Sequence, residues 1–337
     1  MILPLDNNVY YYSSDGKIFT SKIEAIEYGI KTDKRIRLYY YDHLYDKLNW
    51  KTEPTESVDY YYKQQAQKIR DEYDYVVLFY SGGYDSTNIL ETFHFNNIKL
   101  DKIVCVGAFK QDSAAGVDEN HNGELYHNSF PYLVELGLQS ITQICDYTDY
   151  FSTVKNFTVY EYGENWIDRI GAWYSPHHWF WHDIDKYVVP SGMENKKVAL
   201  VWGKDKPVMC NEGGPLGFKF TDVVAFGYGG TLRRPGVDRI NFYWDPTYPL
   251  IVQKQAHIMK NSIDPFKNAD SKVYNLRKPL IYKSPKTTNN ILSLRDSFLK
   301  KHTDSEIFNF YKYGIRSIMS KIDLMEIRPI KSKSYHV

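Results

Sequence analysis

Residues 75–87 read Y-V-V-L-F-Y-S-G-G-Y-D-S-T, and this run restricts the fold more than any other part of the chain. A gapless apolar stretch of this kind is a strand buried on both faces, the type that parallel sheets require. It passes directly into Ser81-Gly82-Gly83-Tyr84-Asp85-Ser86, and helical periodicity follows through Asn88, Ile89, Leu90, Glu91, Thr92 and Phe93. Glycine lets backbone approach a polyanion, small hydroxyls donate hydrogen bonds to it, and a helix starting there adds unpaired N–H groups and the positive end of its dipole. Together they make a cradle for a pyrophosphate. A plain β-to-α turn is the bland alternative. The pattern S-G-G-x-D-S at the very junction where the chemistry needs it favours the cradle.

Two other phosphate-binding solutions are absent. A Walker A loop needs G-x-x-x-x-G-K-[ST], which the chain lacks, and Gly227-Tyr228-Gly229-Gly230 is too short for a dinucleotide-binding G-x-G-x-x-G. The segment instead resembles the PP-loop of the N-type ATP pyrophosphatases, most closely the synthetase domain of asparagine and β-lactam synthetases. The resemblance is carried by residues 75–93 and extends in topology over roughly residues 70–260. It implies a HUP-like (adenine nucleotide alpha-hydrolase-like) α/β fold that splits ATP between the α and β phosphates. AMP is attached to a carboxylate or carbonyl oxygen, and an amine or ammonia then displaces it.

The rest of the pattern suits a doubly wound, mainly parallel five-stranded sheet. After the loop, residues 102–109, 140–147 and 197–202 read as further strands, with 222–226 as the candidate fifth. Residues 58–72 and 124–136 read as helices, and 160–187 as a long, largely helical stretch broken at Ser175-Pro176. Residues 1–56 form a small α+β appendage, with a hairpin at 9–19, a helix from Ser21 to Ile30 and a strand at 35–41. The domain itself spans 57–260. Residues 261–337 read as a connector, two helices at 289–301 and 304–321, and a loose basic tail at Lys331-Ser332-Lys333-Ser334.

Open sheets bind ligands outside the carboxyl ends of their strands, and two glycine turns fall there, after Tyr80 and after Trp202. The resemblance assigns Ser81, Gly82, Gly83, Asp85, Ser86 and Thr87 to ATP and its pyrophosphate. It assigns Val106, Gly107 and Ala108 to adenine, and Asp85 with Asp205 to Mg²⁺, a hard cation that takes carboxylate and phosphate oxygens. The fuller acidic motif of the synthetases is not present around Gly203-Lys204-Asp205, so a solvated turn aspartate stays open for Asp205. A lysine should neutralise the departing pyrophosphate. Lys204, Lys206 and Lys254 compete, and Lys254 is favoured over Lys204 because an aromatic turn, 242–250, feeds its helix; an exposed helix lysine is the alternative.

Other features carry less. His178 and His182 lie one helical turn apart, but Trp173, Trp179, Phe180 and Trp181 around them read as a packed face. Arg233, Arg234 and Arg239 suit a carboxylate or phosphate, or a solvated loop. The 42 basic and 41 acidic residues give no global pull toward nucleic acid or membrane. Three separated cysteines, Cys105, Cys145 and Cys210, argue against a zinc site and against sulfur transfer. No apolar run approaches the ~20 residues that span a bilayer, and no leader is legible, so a cytoplasmic location is expected. The 31 tyrosines read as compositional bias and packing.

Only about 74 residues precede the loop strand, and position 2 is Ile2. A glutaminase domain with its N-terminal cysteine is therefore not expected. The expected activity is an AMP-forming ligase that uses ATP and Mg²⁺ on a small carboxylate or amide substrate, with an amine or ammonia donor. A base- or tRNA-modifying enzyme of the same superfamily and a catalytically silent nucleotide-binding protein are the alternatives.

Overall fold

The computed structural model describes residues 8–20, 22–107, 125–146, 184–203, 208–210, 216–222, 235–262 and 330–337. Its centre is a five-stranded, wholly parallel sheet of β4 (Tyr75–Phe79), β5 (Lys102–Gly107), β6 (Thr142–Asp146), β7 (Val198–Trp202) and β10 (Val237–Asn241). The spatial order is β10-β7-β4-β5-β6. Strands are therefore added outward from β4 first on one side, then on the other, and the order reverses between β4 and β7. The α/β class expected from the sequence is observed.

Alternation along the strands divides the core. Val76, Leu78, Ile103, Cys105, Ala199 and Val201 face one side, packed with α3 (Val58–Glu72), α4 (Tyr84–Phe95) and α7 (Leu250–Ser262). Val77, Phe79, Val104, Leu200 and Trp202 face the other, against Ile184, Val188 and Val189 around α6 (Asp185–Val188). Both faces are dry, which is why β4 and β7 read as unbroken apolar runs. Helix α3 begins as capping chemistry dictates: the Ser57 hydroxyl accepts the Tyr60 N–H at 3.2 Å. Its buried stripe of Tyr61, Tyr62, Gln65, Ala66 and Ile69 has helical spacing.

The fifth strand is a correction. It is Val237–Asn241 and not the run beginning at Asp222. As the sheet's edge it alternates buried and exposed residues, so it lacks the continuous apolar signature expected of a central strand. Asp222 instead closes the 216–222 segment, where its carboxylate meets Lys22 at 2.7 Å with both side chains buried; the remainder of 222–226 lies outside the described residues. The helix expected over 124–136 starts as a π turn (Leu125–Ser129) and continues as α5 (Phe130–Glu135).

At the N-terminus, β1 (Val9–Ser13), β2 (Ile18–Phe19) and β3 (Ile36–Tyr40) form an antiparallel sheet of order β2-β1-β3, with α1 (Lys22–Thr32) beside it and α2 (Asp42–Tyr45) after it. A second small sheet joins β8 (Val208–Cys210), β9 (Gly217–Lys219) and β11 (Tyr335–His336). The expected loose tail is thus overturned. Residues 330–337 lie along β9 and β3: Leu38 N–H donates to Lys331 O at 3.1 Å, while Ser332, Tyr335 and Val337 are buried. Their polar composition hides an inward-facing set that only a distant aromatic cluster makes useful. Tyr45, Trp50, Phe218, Phe220, Trp244 and Tyr335 form that cluster, with Tyr45–Phe220 centroids 4.6 Å apart and Trp50–Tyr335 5.2 Å apart. Among the described residues no helix is long and apolar enough to cross a membrane.

Candidate functional site

The crevice at the strand-order reversal lies outside the carboxyl ends of β4 and β7, where open α/β sheets bind ligands. Both glycine turns meet there. Tyr80 still belongs to the sheet, its N–H donating to Val104 O at 2.9 Å. Beyond it, Gly82 takes φ +77°, a left-handed conformation open to glycine at no steric cost. A Cβ on Gly82 would run into the Ser129 hydroxyl and lie 3.0 Å from Ser129 N, so the π turn packs directly against the loop. Gly83 is the N-cap of α4 and offers no side chain to its first N–H groups. The first intrahelical bond is Thr87 N–H to Gly83 O at 2.9 Å. The N–H groups of Tyr84, Asp85 and Ser86 precede it and form the positive end of the helix.

The loop's hydroxyls hold its shape. Ser86 Oγ accepts from Ser81 N at 3.2 Å and donates to Gly83 O at 3.2 Å. Ser81 Oγ lies 3.1 Å from Ser86 Oγ and accepts from Gly83 N at 3.3 Å. Ser81 is exposed, Asp85 half-buried, and Ser86 and Thr87 buried; the Thr87 hydroxyl donates to Tyr80 Oη at 3.4 Å.

Gly203 supplies the opposite wall. A Cβ there would stand 2.9 Å from both the Asp85 carbonyl carbon and the Ser86 nitrogen, so the turn after β7 touches the first turn of α4 backbone to backbone. From the turn after β10, the Tyr243 hydroxyl donates to Asp85 O at 2.7 Å and accepts from Asn88 Nδ2 at 3.0 Å. Burial, chiefly, pushes the Tyr243 phenol well above its usual pKa, so it remains a donor at any physiological pH.

The other expected site residues are distributed as follows. Val106 and Gly107 end β5, beside the loop strand, while Ala108, Lys204, Asp205 and Lys206 lie outside the described residues, as do His178, His182, Arg233 and Arg234. Lys254 is on α7, where Nζ meets Glu53 Oε1 at 2.7 Å and Pro54 O at 2.8 Å. Its neighbours bond the same segment: Gln253 Nε2 donates to Asn49 O at 2.7 Å, and His257 Nε2 lies 2.9 Å from Trp50 O. The hydrogen bond from Lys254, first, lowers the Glu53 pKa. The contacts of Lys254 thus hold the segment before α3. Arg239 lies on β10, 3.9 Å from Asp185.

For a divalent cation, the described residues offer the Asp85 carboxylate beside the cradle. Among them no cluster of three or more His, Cys, Asp or Glu side chains makes a metal centre. One carboxylate is what a magnesium ion carried on ATP phosphates requires of a protein, since phosphates and water complete its shell. Burial raises Cys105 to about 12 and Cys145 to about 11, leaving both as protonated, unreactive thiols.

Sequence reasoning missed Tyr243, Asn88 and the π turn. Tyr243 is 158 positions from Asp85, and nothing in the local pattern around it announces that contact. No protein-family model matches the chain, and no curated protein matches it.

Proposed function

We propose that this protein is an ATP-dependent, AMP-forming ligase of the PP-loop type, built on a HUP-like sheet. The observation that carries the reading is the N-terminus of α4. It has no side-chain cap, it is entered through a left-handed glycine, and it opens at the reversal of strand order beside Gly203. Such an end favours a multiply charged anion, and the serines on either side of the two glycines hold the loop that presents it.

In this reading the β and γ phosphates of ATP lie against the N–H groups of Tyr84, Asp85 and Ser86 and against the exposed Ser81 hydroxyl, which turns its proton from Ser86 Oγ to them. The Ser86 hydroxyl keeps the loop closed on Gly83 O. Adenine packs at the end of β5 by Val106 and Gly107. Asp85 would hold Mg²⁺ on the phosphates, where the ion would supply charge neutralisation. A substrate carboxylate oxygen attacks the α phosphorus, the bond to the bridging oxygen breaks, and pyrophosphate leaves into the cradle. An amine nitrogen then attacks the acyl carbon, and the bond from that carbon to the oxygen carried by AMP breaks. AMP departs with that oxygen, and the nitrogen gives one proton to solvent. Stabilising the charge that develops on the leaving pyrophosphate is the cradle's contribution to rate.

The test is incubation with ATP, Mg²⁺ and a panel of small carboxylates and amines, with AMP and pyrophosphate measured separately. Stoichiometric release of both, lost in Asp85→Ala, is expected. Release of ADP and phosphate, or an unchanged rate in Asp85→Ala, would sink the mechanism. ATP binding without turnover on any substrate points to a silent nucleotide-binding protein.

A further inference from the structure

One hydroxyl, outside the loop and 158 positions from it in sequence, bonds the first turn of α4. Tyr243 is fully enclosed in the turn after β10. Its oxygen accepts from Asn88 Nδ2 at 3.0 Å, and because an amide nitrogen can only donate, the phenolic proton is turned away from Asn88 and toward Asp85 O at 2.7 Å. Asp85 and Asn88 both lie in the first turns of α4. A single oxygen thus fixes the opening of the helix at one carbonyl and one side chain. Gly203 lies against the same Asp85–Ser86 peptide, where a Cβ on it would stand only 2.9 Å from the peptide's carbon and nitrogen. A peptide plane fixed at its carbonyl is also fixed at its N–H, and a hydrogen bond to the carbonyl polarises that N–H further. The N–H concerned belongs to Ser86, one of the three that precede the first intrahelical bond.

We infer that Tyr243 is a positioning residue of the phosphate cradle: its hydroxyl orients the Asp85–Ser86 peptide so that the Ser86 N–H points at the bound phosphates. The inference rests on the ATP-binding reading above. Tyr243 touches neither ATP nor metal in this scheme and acts through α4. The nearby Tyr62 provides the comparison. Its ring is 5.6 Å from that of Tyr243, edge to face, but its hydroxyl accepts from Gln255 Nε2 on α7 at 2.8 Å. Removing the Tyr62 hydroxyl takes a buried acceptor from Gln255, whereas removing that of Tyr243 takes a buried acceptor from Asn88 and also releases the helix opening at Asp85 O.

The experiment is calorimetric titration of the full chain with Mg-ATP, with pyrophosphate and with AMP, on wild type, Tyr243→Phe and Tyr62→Phe, at a temperature where urea unfolding shows all three folded. Tyr243→Phe should weaken Mg-ATP and pyrophosphate by roughly 3- to 10-fold, the worth of one hydrogen bond, and leave AMP within twofold. Tyr62→Phe should leave all three ligands within twofold. Should Tyr243→Phe not fold, Asn88→Ala, which removes the amide that turns the phenolic proton toward Asp85 O, carries the same expectation. Equal weakening of AMP and pyrophosphate, or equal effects of the two Tyr→Phe variants, would overturn the positioning role while leaving ATP binding standing. A wild-type chain that binds neither Mg-ATP nor pyrophosphate overturns this inference together with the reading beneath it.

Discussion

Replacing Gly203 with alanine adds one methyl group at the tightest point between β7 and α4. The new Cβ would sit 2.9 Å from the Asp85 carbonyl carbon, 2.9 Å from Ser86 N and 3.1 Å from Ile89 Cδ1. Ile89 can turn aside, but the two backbone atoms cannot. Ordinary contact then demands that the turn and the helix separate by about 0.5 Å, and overpacking of this kind costs about 1–3 kcal/mol. With an unfolding entropy of about 2 cal/mol/K per residue, that cost lowers the melting temperature by roughly 1.5–4 °C. The same displacement disturbs the Asp85–Ser86 peptide that the Tyr243 hydroxyl holds, so affinity for Mg-ATP should fall together with stability. Differential scanning calorimetry and ligand titration on one preparation measure both. A Gly203→Ala protein with wild-type melting temperature and ATP affinity would refute the claim that the two turns are in backbone contact.

Three further outcomes test the scaffold. Lys22→Met leaves the buried Asp222 carboxylate without its cation and should cost about 3–5 kcal/mol in urea unfolding, whereas adding Asp222→Leu should recover most of the loss; equal instability of both variants would contradict a buried pair. Asp101 is partly desolvated, which alone would raise its pKa, but bonds from Lys99, Arg70 and the Val76 N–H outweigh burial and hold it below the usual value. A depressed carboxylate stabilises the fold above its unfolded pKa and loses that contribution as pH falls through the lower folded one. Asp101→Asn should therefore be less stable than wild type at pH 7, with the gap closing below about pH 4; a gap that stays constant down to pH 2 speaks against the assignment. The Tyr40 and Tyr45 hydroxyls both donate to Trp244 O, at 3.3 and 3.1 Å. Either Tyr→Phe change alone should cost no more than about 1 kcal/mol, because the carbonyl keeps one donor, and the double change should cost more than the sum. Strict additivity in urea unfolding would show that the two bonds do not share one acceptor.

What the sequence made legible is what short-range chemistry decides. The β4 strand, the glycine loop and α4 follow from one uninterrupted pattern, and α3 runs from Val58 to Glu72, as its cap and periodicity require. Gly203 was readable as a turn, but its contact with Ser86 was not, because that contact depends on strand order. Strand β10 was missed because V-D-R-I-N, alternating at an edge, has no strong signature of its own. The tail was missed for a related reason. In Lys331–Val337 only Ser332, Tyr335 and Val337 turn inward, and their value lies in the distant rings of Tyr45, Trp50 and Phe218. Tyr243 belongs to the same class, a residue whose partner is set by topology.

Three of the tyrosines find a physical reason around the turn after β10. Burying a backbone carbonyl in a turn or at a helix opening without a bonding partner is costly. A tyrosine ring fills apolar space while its hydroxyl reaches such a carbonyl, which a phenylalanine cannot do. Tyr40 and Tyr45, from the N-terminal sheet and the helix after it, meet the carbonyl of Trp244, and the adjacent Tyr243 meets that of Asp85. Phe242 N–H, one residue earlier, donates to Trp202 O at 3.1 Å, and Gly203 follows Trp202 directly. The 242–244 turn is therefore tied at three successive residues: to the end of β7, to the first turn of α4, and to the N-terminal segment. A helix opening is only as well aimed as the groups that hold it. Here those groups extend from the first forty-five residues to the loop itself, so the N-terminal sheet braces the crevice from behind.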